Sequence, residues 1–293
     1  MTVTIEAPAK INLALHVCGR RADGYHLLDS LVVFAGVGDR ITVEPASSLD
    51  LDITGPFAAG LAAEPDNLVL RAAHWLSARS TTSLGARIAL EKNLPVASGI
   101  GGGSSDAAAT LIACAKIWDM DASTLPRDEL ARALGADVPV CLARTPALMR
   151  GIGEDITEIE RLPALWMVLA NPGQPLATKA VFGAVRGRFG KPLDPLPPKP
   201  DAEGLLAYLD GQRNDLTAPA LELMPRVGVI LNALVATAGC RLARLSGSGP
   251  TCFGLYLEES EARAAAKSLK AAHSGWWVAA TPMLTSPLKT GPL

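Results

Sequence analysis

A glycine- and serine-rich run between an apolar segment and a helical pattern is the feature that most limits how this chain can fold. The run covers residues 94–106, and residues 88–90 before it have the apolar character of a strand. After it, Ala107, Leu111 and Ala115 recur at helical spacing and predict one buried face. Glycines let backbone N–H groups approach a phosphate closely, and the N-terminus of a helix adds a favourable dipole. A flexible linker is the alternative, but a linker has no reason to lie between a strand and an amphipathic helix. We therefore predict a phosphate-binding loop in which Ser104 and Ser105 lie at the N-cap of the helix. The loop consists of Pro95, Val96, Ala97, Ser98, Gly99, Ile100, Gly101, Gly102, Gly103, Ser104 and Ser105.

Two common phosphate-binding classes do not match this loop. It has no Gly-Lys-Ser/Thr, which the P-loop NTPases require. A dinucleotide-binding crossover would place an acidic residue about 20 residues after the glycines, at the end of a parallel strand. Asp121 lies at a suitable distance, but no strong strand pattern precedes it. Both classes are therefore disfavoured.

Composition limits the partners that the protein can have. Of the 293 residues, 49% are hydrophobic and 19% are charged, which is typical of a soluble globular protein. The net charge of −2 gives no electrostatic reason to bind nucleic acid or an anionic membrane. No apolar run approaches the roughly 20 residues that span a bilayer. We expect neither a nucleic-acid nor a membrane partner, and at most a weak homodimer.

Cysteine and histidine usage indicates the compartment and argues against zinc. The five cysteines are scattered and form no Cys-x-x-Cys pair, and the four histidines form no His-x-x-x-His pair. Reduced thiols in a cytoplasmic protein are the simplest explanation, and the N-terminus has no signal-peptide pattern. The sequence therefore predicts a cytoplasmic protein and disfavours a zinc site.

Strand and helix patterns mix without a repeating βα unit, which favours the α+β class. Residues 2–6 and 11–17 alternate like strands, with a break predicted at Ala7-Pro8-Ala9, and residues 31–34 and 40–43 predict two more strands. Helices are predicted from Pro65, over 128–134 and over 258–273. Five prolines between residues 186 and 204 predict an irregular surface loop.

Three motifs taken in order resemble the signatures of the GHMP small-molecule kinases. They are Ala7-Pro8-Ala9-Lys10-Ile11-Asn12-Leu13, the glycine/serine loop, and Leu245-Ser246-Gly247-Ser248-Gly249-Pro250-Thr251. Within that family, Gly19-Arg20-Arg21-x-Asp23-Gly24-Tyr25-His26 is similar to the branch that acts on a cytidylylated methylerythritol. Gly135-Ala136-Asp137-Val138-Pro139 and Asn214-Asp215-Leu216 match the same branch.

The resemblance implies a fold and a reaction. The fold has an N-terminal ATP-binding domain like domain 2 of ribosomal protein S5, which we place at residues 1–157, and a ferredoxin-like C-terminal domain at residues 158–293. The implied reaction is phosphorylation of the 2-hydroxyl of 4-diphosphocytidyl-2-C-methyl-D-erythritol by ATP. That reaction is a step of the non-mevalonate route to isoprenoid precursors.

The same resemblance assigns the catalytic residues. Asp137 lies in an apolar stretch, where an unpaired carboxylate is costly, and the family pattern makes it the general base. Lys10 would stabilise the ionised base and lower the pKa of the substrate hydroxyl. From the residues alone, a helix-capping Asp137 and a solvent-reaching Lys10 are equally good interpretations.

Ligand-binding roles also follow from the resemblance. Tyr25 and Phe182 would stack on the two faces of the cytosine and His26 would read its edge, with Asn12 and Thr178 in the same pocket. Asn67 and Lys92 match positions around the adenine nucleotide, although a helix-start amide and a strand-end lysine are the alternatives. ATP is the expected phosphoryl donor and Mg²⁺ is expected with it.

Two other functions compete with this interpretation. The first is another kinase of the same family, acting on mevalonate, homoserine or galactose, although those enzymes lack the segment at residues 19–26. The second is a nucleotide sensor without catalysis, which predicts the loss of Lys10 or Asp137. Both residues are present.

Overall fold

Two long antiparallel strands dominate the N-terminal half of the computed structural model, which describes residues 1–61, 67–80, 84–187 and 189–286. These strands are β1 (Val3–Arg20) and β2 (His26–Ala46), and they pair along most of their length. The predicted break at residues 7–9 is wrong, because β1 continues through Pro8, which pairs with Gly38, and a register shift follows before Lys10. A proline is tolerated in an edge strand, where its missing N–H can face away from the neighbour. The two strands predicted at residues 31–34 and 40–43 are likewise parts of one strand, β2.

The remaining elements alternate between strands and helices, as an α+β protein requires. The strands are β3 (Leu49–Thr54), β4 (Gly85–Glu91), β5 (Ala147–Gly151), β6 (Asp155–Glu158), β7 (Trp166–Asn171), β8 (Leu242–Leu245), β9 (Cys252–Tyr256) and β10 (Trp277–Leu284). The helices are α1 (Leu68–Ser77), α2 (Gly102–Ile117), α3 (Arg127–Leu134), α4 (Val138–Ala143), α5 (Thr178–Gly183), α6 (Ala202–Asp210), α7 (Thr217–Leu223), α8 (Arg226–Val235) and α9 (Glu259–Ala272).

Most predicted helices are confirmed, with shifted ends. The helices predicted at 128–134 and 258–273 correspond to α3 and α9. The helix start predicted at Pro65 lies outside the described residues, and the described helix begins at Leu68 after an Asn67 cap. Residues 189–201 contain neither helix nor strand, as the prolines predict.

The strands are arranged around β2 and β7. Along one edge, β2 pairs antiparallel with β5, with the end of β10 and with β4, and β4 pairs parallel with β3. The C-terminal strands run β10-β7-β9-β8 and are antiparallel throughout. Numbered within their own half, they have the order 4-1-3-2 of a ferredoxin-like sheet. The boundary predicted after residue 157 falls near the end of β6 and stays a prediction.

Helix α2 lies at the centre of the N-terminal half instead of on its surface. The sequence predicts one buried face, but nearly every residue from Ser105 to Ala115 is buried. Small side chains such as Ala109 and Ala113 let α1, β1 and β2 pack closely around it. The start of α2 is therefore held firmly beneath the cleft described below.

The helices also bear on the membrane prediction. Across the described parts of the chain, no helix has both the length and the apolar character needed to cross a bilayer.

Candidate active site

The glycine/serine loop joins β4 to α2 and lines a cleft of about 1240 Å³. Its backbone turns through positive φ at Ala97 (49°), Gly99 (75°) and Gly101 (62°). Neighbouring elements donate hydrogen bonds to its carbonyls: Lys10 N–H to Ile100 O (2.9 Å), Thr251 N–H to Ser98 O (3.1 Å) and Leu176 N–H to Ala97 O (3.2 Å).

The carbonyls at the centre of the loop are therefore occupied, whereas the amides there are not. Within the described residues, no acceptor takes the backbone N–H groups of residues 99–101. A row of unoccupied amides ahead of a helix N-terminus is an anion-binding arrangement. The loop geometry thus suits an oligophosphate.

The helix cap differs from the prediction. Gly101, in the left-handed conformation, is the N-cap of α2, and Ser104 and Ser105 lie inside the first turn. Ser105 is buried, and its hydroxyl donates to Pro8 O at 2.7 Å, away from the cleft. Ser104 lines the cleft and the side chains of Ile100 and Ser105 do not, and the binding of all three to the nucleotide stays a prediction. Glycine at the cap has no side chain above the helix end, which leaves that space open.

Lys10 and Asp137 form an ion pair at the floor of the cleft. Lys10 Nζ lies 2.8 Å from Asp137 Oδ2, and the two side chains are 4% and 34% exposed. Asp137 precedes α4, but its side chain caps no amide there, so the capping interpretation is excluded. The pair adjoins the loop: a Cβ at Gly101 would lie 3.0 Å from Lys10 Cβ. A partly exposed carboxylate held by a buried ammonium beside free amides has the geometry of a base for a bound hydroxyl.

A second cluster of charges supports the loop from below. Lys92 Nζ donates to Asp39 and, at 2.7 Å, to Asp106 Oδ2, and all three side chains are almost fully buried. Burial raises the pKa of Asp106, and the adjacent Lys92 ammonium opposes that rise. Burial lowers the pKa of Lys92 and the two carboxylates raise it, with a net upward shift. The ammonium of Lys92 is thus occupied by carboxylates, and its contact with the adenine nucleotide stays a prediction.

No sequence motif indicated this cluster, because its members lie in separate segments of the chain. Asp39 lies 53 positions from Lys92 and also accepts the N–H of Leu94 at 2.7 Å. A charged residue inside the apolar pattern of β2 is the signal that identifies it. A Cβ at Gly102 would lie 3.1 Å from Lys92 Nζ, so glycine there lets the helix start approach the cluster.

An aromatic group lines the other end of the cleft. The His26 ring lies 5.2 Å from the Phe182 ring at 31°, and 6.1 Å from Phe189, edge-on at 74°. Tyr25 is 60% exposed at the rim and contacts neither ring in the described structure. Burial, followed by the positive charge of Arg20, lowers the pKa of His26, so its ring is neutral at neutral pH. The sequence predicted Tyr25, His26 and Phe182 as ligand-binding rings. It did not predict Phe189, which lies in the irregular segment.

Asn12 and Thr178 lie between the two ends of the cleft. Asn12 donates from Nδ2 to Ser30 Oγ at 2.7 Å, and its buried Oδ1 has no hydrogen-bond partner among the described residues. Thr178 Oγ1 lies 2.9 Å from Ser248 Oγ. Asn67 caps α1 by accepting Val69 N–H at 2.9 Å, as the helix-start alternative predicted, and also lines the cleft.

The third signature motif closes the loop side of the cleft. A Cβ at Gly99 would lie 2.5 Å from Gly249 N, so the two turns touch through their backbones. Asn214 holds this motif by donating to Leu245 O at 2.8 Å and Gly247 O at 2.9 Å. The three ordered motifs of the sequence thus meet at one place.

Comparison with known proteins places this geometry in a family. The GHMP kinases N terminal domain matches residues 67–144, and the GHMP kinases C terminal domain matches residues 199–275. A protein of Paramagnetospirillum magneticum named 4-diphosphocytidyl-2-C-methyl-D-erythritol kinase is 53% identical over 96% of this chain and 99% of its own length. A protein of Paracoccus denitrificans with the same name is 56% identical over 94% of each chain.

Similarity to solved structures agrees with this family assignment. A crystal structure of 4-(cytidine 5'-diphospho)-2C-methyl-D-erythritol kinase, 36% identical, superposes with a TM-score of 0.78 over 96% of this chain and 99% of that chain. Homoserine kinase from Cytophaga hutchinsonii, 16% identical, has a TM-score of 0.66 over 98% of this chain and 96% of that chain, and shares the fold alone.

Proposed function

The chain belongs to the 4-diphosphocytidyl-2-C-methyl-D-erythritol kinases of the GHMP kinase family, and from this premise we propose how its cleft carries out the reaction. The γ-phosphoryl group of ATP passes to the 2-hydroxyl of 4-diphosphocytidyl-2-C-methyl-D-erythritol. The products are ADP and the 2-phosphorylated compound, in a step of non-mevalonate isoprenoid biosynthesis.

The loop binds the donor. Backbone amides around Gly99 and Gly101, together with the start of α2, hold the phosphates of ATP through main-chain hydrogen bonds. Because these donors are part of a rigid turn between β4 and a buried helix, they need no reorganisation as charge shifts during transfer. Asn67 and Lys92 both line the cleft, and we assign them to the adenine nucleotide.

Asp137 acts as the base and Lys10 as its cationic partner. The Asp137 carboxylate takes the proton of the 2-hydroxyl as that oxygen forms its bond to the γ-phosphorus. The bond from the γ-phosphorus to the β–γ bridging oxygen breaks, and its electrons leave with ADP. The Lys10 ammonium, 2.8 Å from Asp137 Oδ2, holds the carboxylate in place and also stabilises negative charge on the transferring group.

The aromatic end binds the acceptor. Tyr25 and Phe182 stack on the cytosine, and the neutral ring of His26 hydrogen-bonds to its edge. Asn12 Oδ1, a buried acceptor without a partner, accepts a hydrogen bond from a substrate hydroxyl near Lys10. Thr178, which also lines the cleft, is assigned to the same acceptor pocket.

Mg²⁺ accompanies ATP in this proposal. The described residues contain no group of three side chains suited to hold a metal ion. Mg²⁺ commonly needs only one or two carboxylates when phosphates and water supply the other ligands. Asp106 fits that need, because its buried Oδ1 has no partner at the start of α2, with Ser104 beside it. When bound, the ion would neutralise charge on the phosphates.

The Lys10–Asp137 pair beside the free amides is the observation that carries the proposal, and ADP release tests it. The protein is assayed with ATP and, in turn, the cytidylyl compound, mevalonate and homoserine. We expect turnover with the cytidylyl compound alone. Turnover with mevalonate or homoserine instead would assign another GHMP activity, and nucleotide binding without turnover would indicate a sensor.

Location and assembly follow from the same premise. We place the enzyme in the cytoplasm, without nucleic-acid or membrane partners and with at most a weak homodimer. Light scattering at increasing protein concentration tests the last point.

A further inference from the structure

The proline-rich segment is held in place far more firmly than a surface loop needs to be. Residues 189–197, here called the strap, have no regular structure. Their backbone is nevertheless fixed from three sides: Gly190 N–H donates to Val17 O at 3.0 Å, Leu193 N–H donates to Asp29 Oδ2 at 3.2 Å, and Tyr208 OH donates to Asp194 O at 2.9 Å. Leu193 and Leu196 also pack on the core. The strap is therefore a fixed part of the fold.

A buried histidine locks the strap to β1. The Nε2 atom of His16 accepts Arg213 N–H at 3.2 Å, so Nδ1 carries the proton and donates to Lys191 O at 2.9 Å. Both ring nitrogens are thereby used. The Arg213 side chain donates to the same Lys191 carbonyl at 3.3 Å.

The first residue of the strap reaches the aromatic end of the cleft. Phe189 presents its ring edge-on to the His26 ring, and Phe182 is the second aromatic neighbour of His26. No hydrogen bond to the His26 ring exists within the described residues, although histidines that must point in one direction are usually oriented by one. The orientation of His26 in the free protein therefore depends on its two aromatic neighbours.

We propose that Phe189 is a positioning residue, which the strap holds against His26 so that its ring is ready to read the cytosine edge. The inference rests on the proposed function, because it concerns how the same cleft recognises a cytidine diphosphate group. It adds a third aromatic side chain, remote from the ordered motifs, to the determinants of pyrimidine specificity.

Calorimetry with CDP tests the inference without requiring turnover. CDP and ATP are titrated separately into the full-length protein and into the Phe189→Ala and Phe189→Tyr variants. An edge-to-face pair of this kind predicts that Phe189→Ala weakens CDP binding by about 3- to 12-fold, with ATP binding unchanged. Phe189→Tyr keeps the ring and restores CDP affinity. Trp276→Ala, which removes the aromatic partner of His273 at 3.8 Å, is the matched control and changes neither affinity.

Each outcome is decisive. Unchanged CDP affinity in Phe189→Ala overturns the inference, as does equal weakening of CDP and ATP. Should Phe189→Ala fail to fold, Phe189→Leu replaces it with the same expectation, because leucine fills space without an aromatic edge. The NMR signal of the His26 ring, assigned with His26→Gln, must also shift in the ligand-free variant, and an unshifted signal refutes the contact. Absence of CDP binding to the unaltered protein overturns the proposed function and this inference together.

Discussion

Replacing Asp137 with asparagine separates the catalytic role of the carboxylate from its structural role. The change keeps the shape of the side chain but removes both the proton acceptor and the charge that faces Lys10 Nζ at 2.8 Å. Loss of a general base lowers turnover by about 10²–10⁴-fold. ATP affinity should change by no more than about 3-fold, because the loop amides bind the phosphates.

The stability cost can be bounded from the exposure of the pair. Breaking a fully buried ion pair costs about 3–5 kcal/mol, whereas an exposed pair contributes about 0–1 kcal/mol. Lys10 is 4% exposed and Asp137 34% exposed, so the pair lies between these limits. We expect the free energy of unfolding to fall by about 1–3 kcal/mol, which leaves the variant folded in the assay.

The measurements are steady-state kinetics, ATP titration and urea unfolding on the same preparation. Glu158→Gln is the matched control, since it breaks the Arg127–Glu158 pair of 2.7 Å, whose side chains are 45% and 46% exposed. That control should keep full turnover and lose less than about 1 kcal/mol. Turnover of Asp137→Asn within 10-fold of the unaltered protein would refute the assignment of the base.

Three further perturbations test the rest of the cleft. Gly99→Ala should lower the free energy of unfolding, measured in urea, by more than about 2 kcal/mol. The reason is that φ at Gly99 is +75° and the new Cβ would lie 2.5 Å from the backbone nitrogen of Gly249. Gly103→Ala, with no atom within 4 Å of its Cβ, is the control, and an equal loss there would contradict the explanation. Phe182→Ala should raise KM for the cytidylyl substrate by about 5- to 150-fold and leave KM for ATP unchanged, and a similar rise in both would exclude stacking. Because burial and the Arg20 charge lower the pKa of His26 from 6.5, KM for the cytidylyl substrate should stay level from pH 8 to 7 and rise as the pH falls through the lowered pKa, and a rise between pH 8 and 7 would contradict a neutral His26.

Local sequence was sufficient where a function depends on a short run of backbone. The loop between β4 and α2 could be predicted because glycine, helix pattern and strand pattern are adjacent in the chain. The ordered motifs likewise indicated Lys10 and Asp137, and the structure brings them within 2.8 Å of each other. Their chemical roles remain predictions until the variants are assayed.

Features that depend on tertiary contacts could not be predicted. Proline at position 8 suggests a broken strand, but an edge position and a register shift accommodate it. Serines at 104 and 105 suggest caps, but the left-handed turn at Gly101 starts the helix earlier. The Asp39–Lys92–Asp106 cluster joins three separate segments, and although Asp39 is a charge within an apolar strand pattern, no local pattern shows which residues it meets.

The role of the irregular segment at residues 189–201 also depends on tertiary contacts. Prolines correctly predict the absence of helix and strand at residues 189–201. They give no sign that His16 and Asp29 hold the segment, or that Phe189 contacts His26. Composition can identify an irregular segment, but its role depends on which side chains it meets.

Phosphorus NMR of a single reaction mixture tests the central claim most directly. The protein, ATP, Mg²⁺ and 4-diphosphocytidyl-2-C-methyl-D-erythritol are incubated, and the fate of the γ-phosphoryl group is followed. We predict one new phosphomonoester signal on the methylerythritol 2-oxygen, equimolar with ADP, and its formation about 10²–10⁴-fold more slowly with Asp137→Asn. Release of inorganic phosphate without that signal, or formation of the product by Asp137→Asn at the rate of the unaltered protein, would contradict this claim.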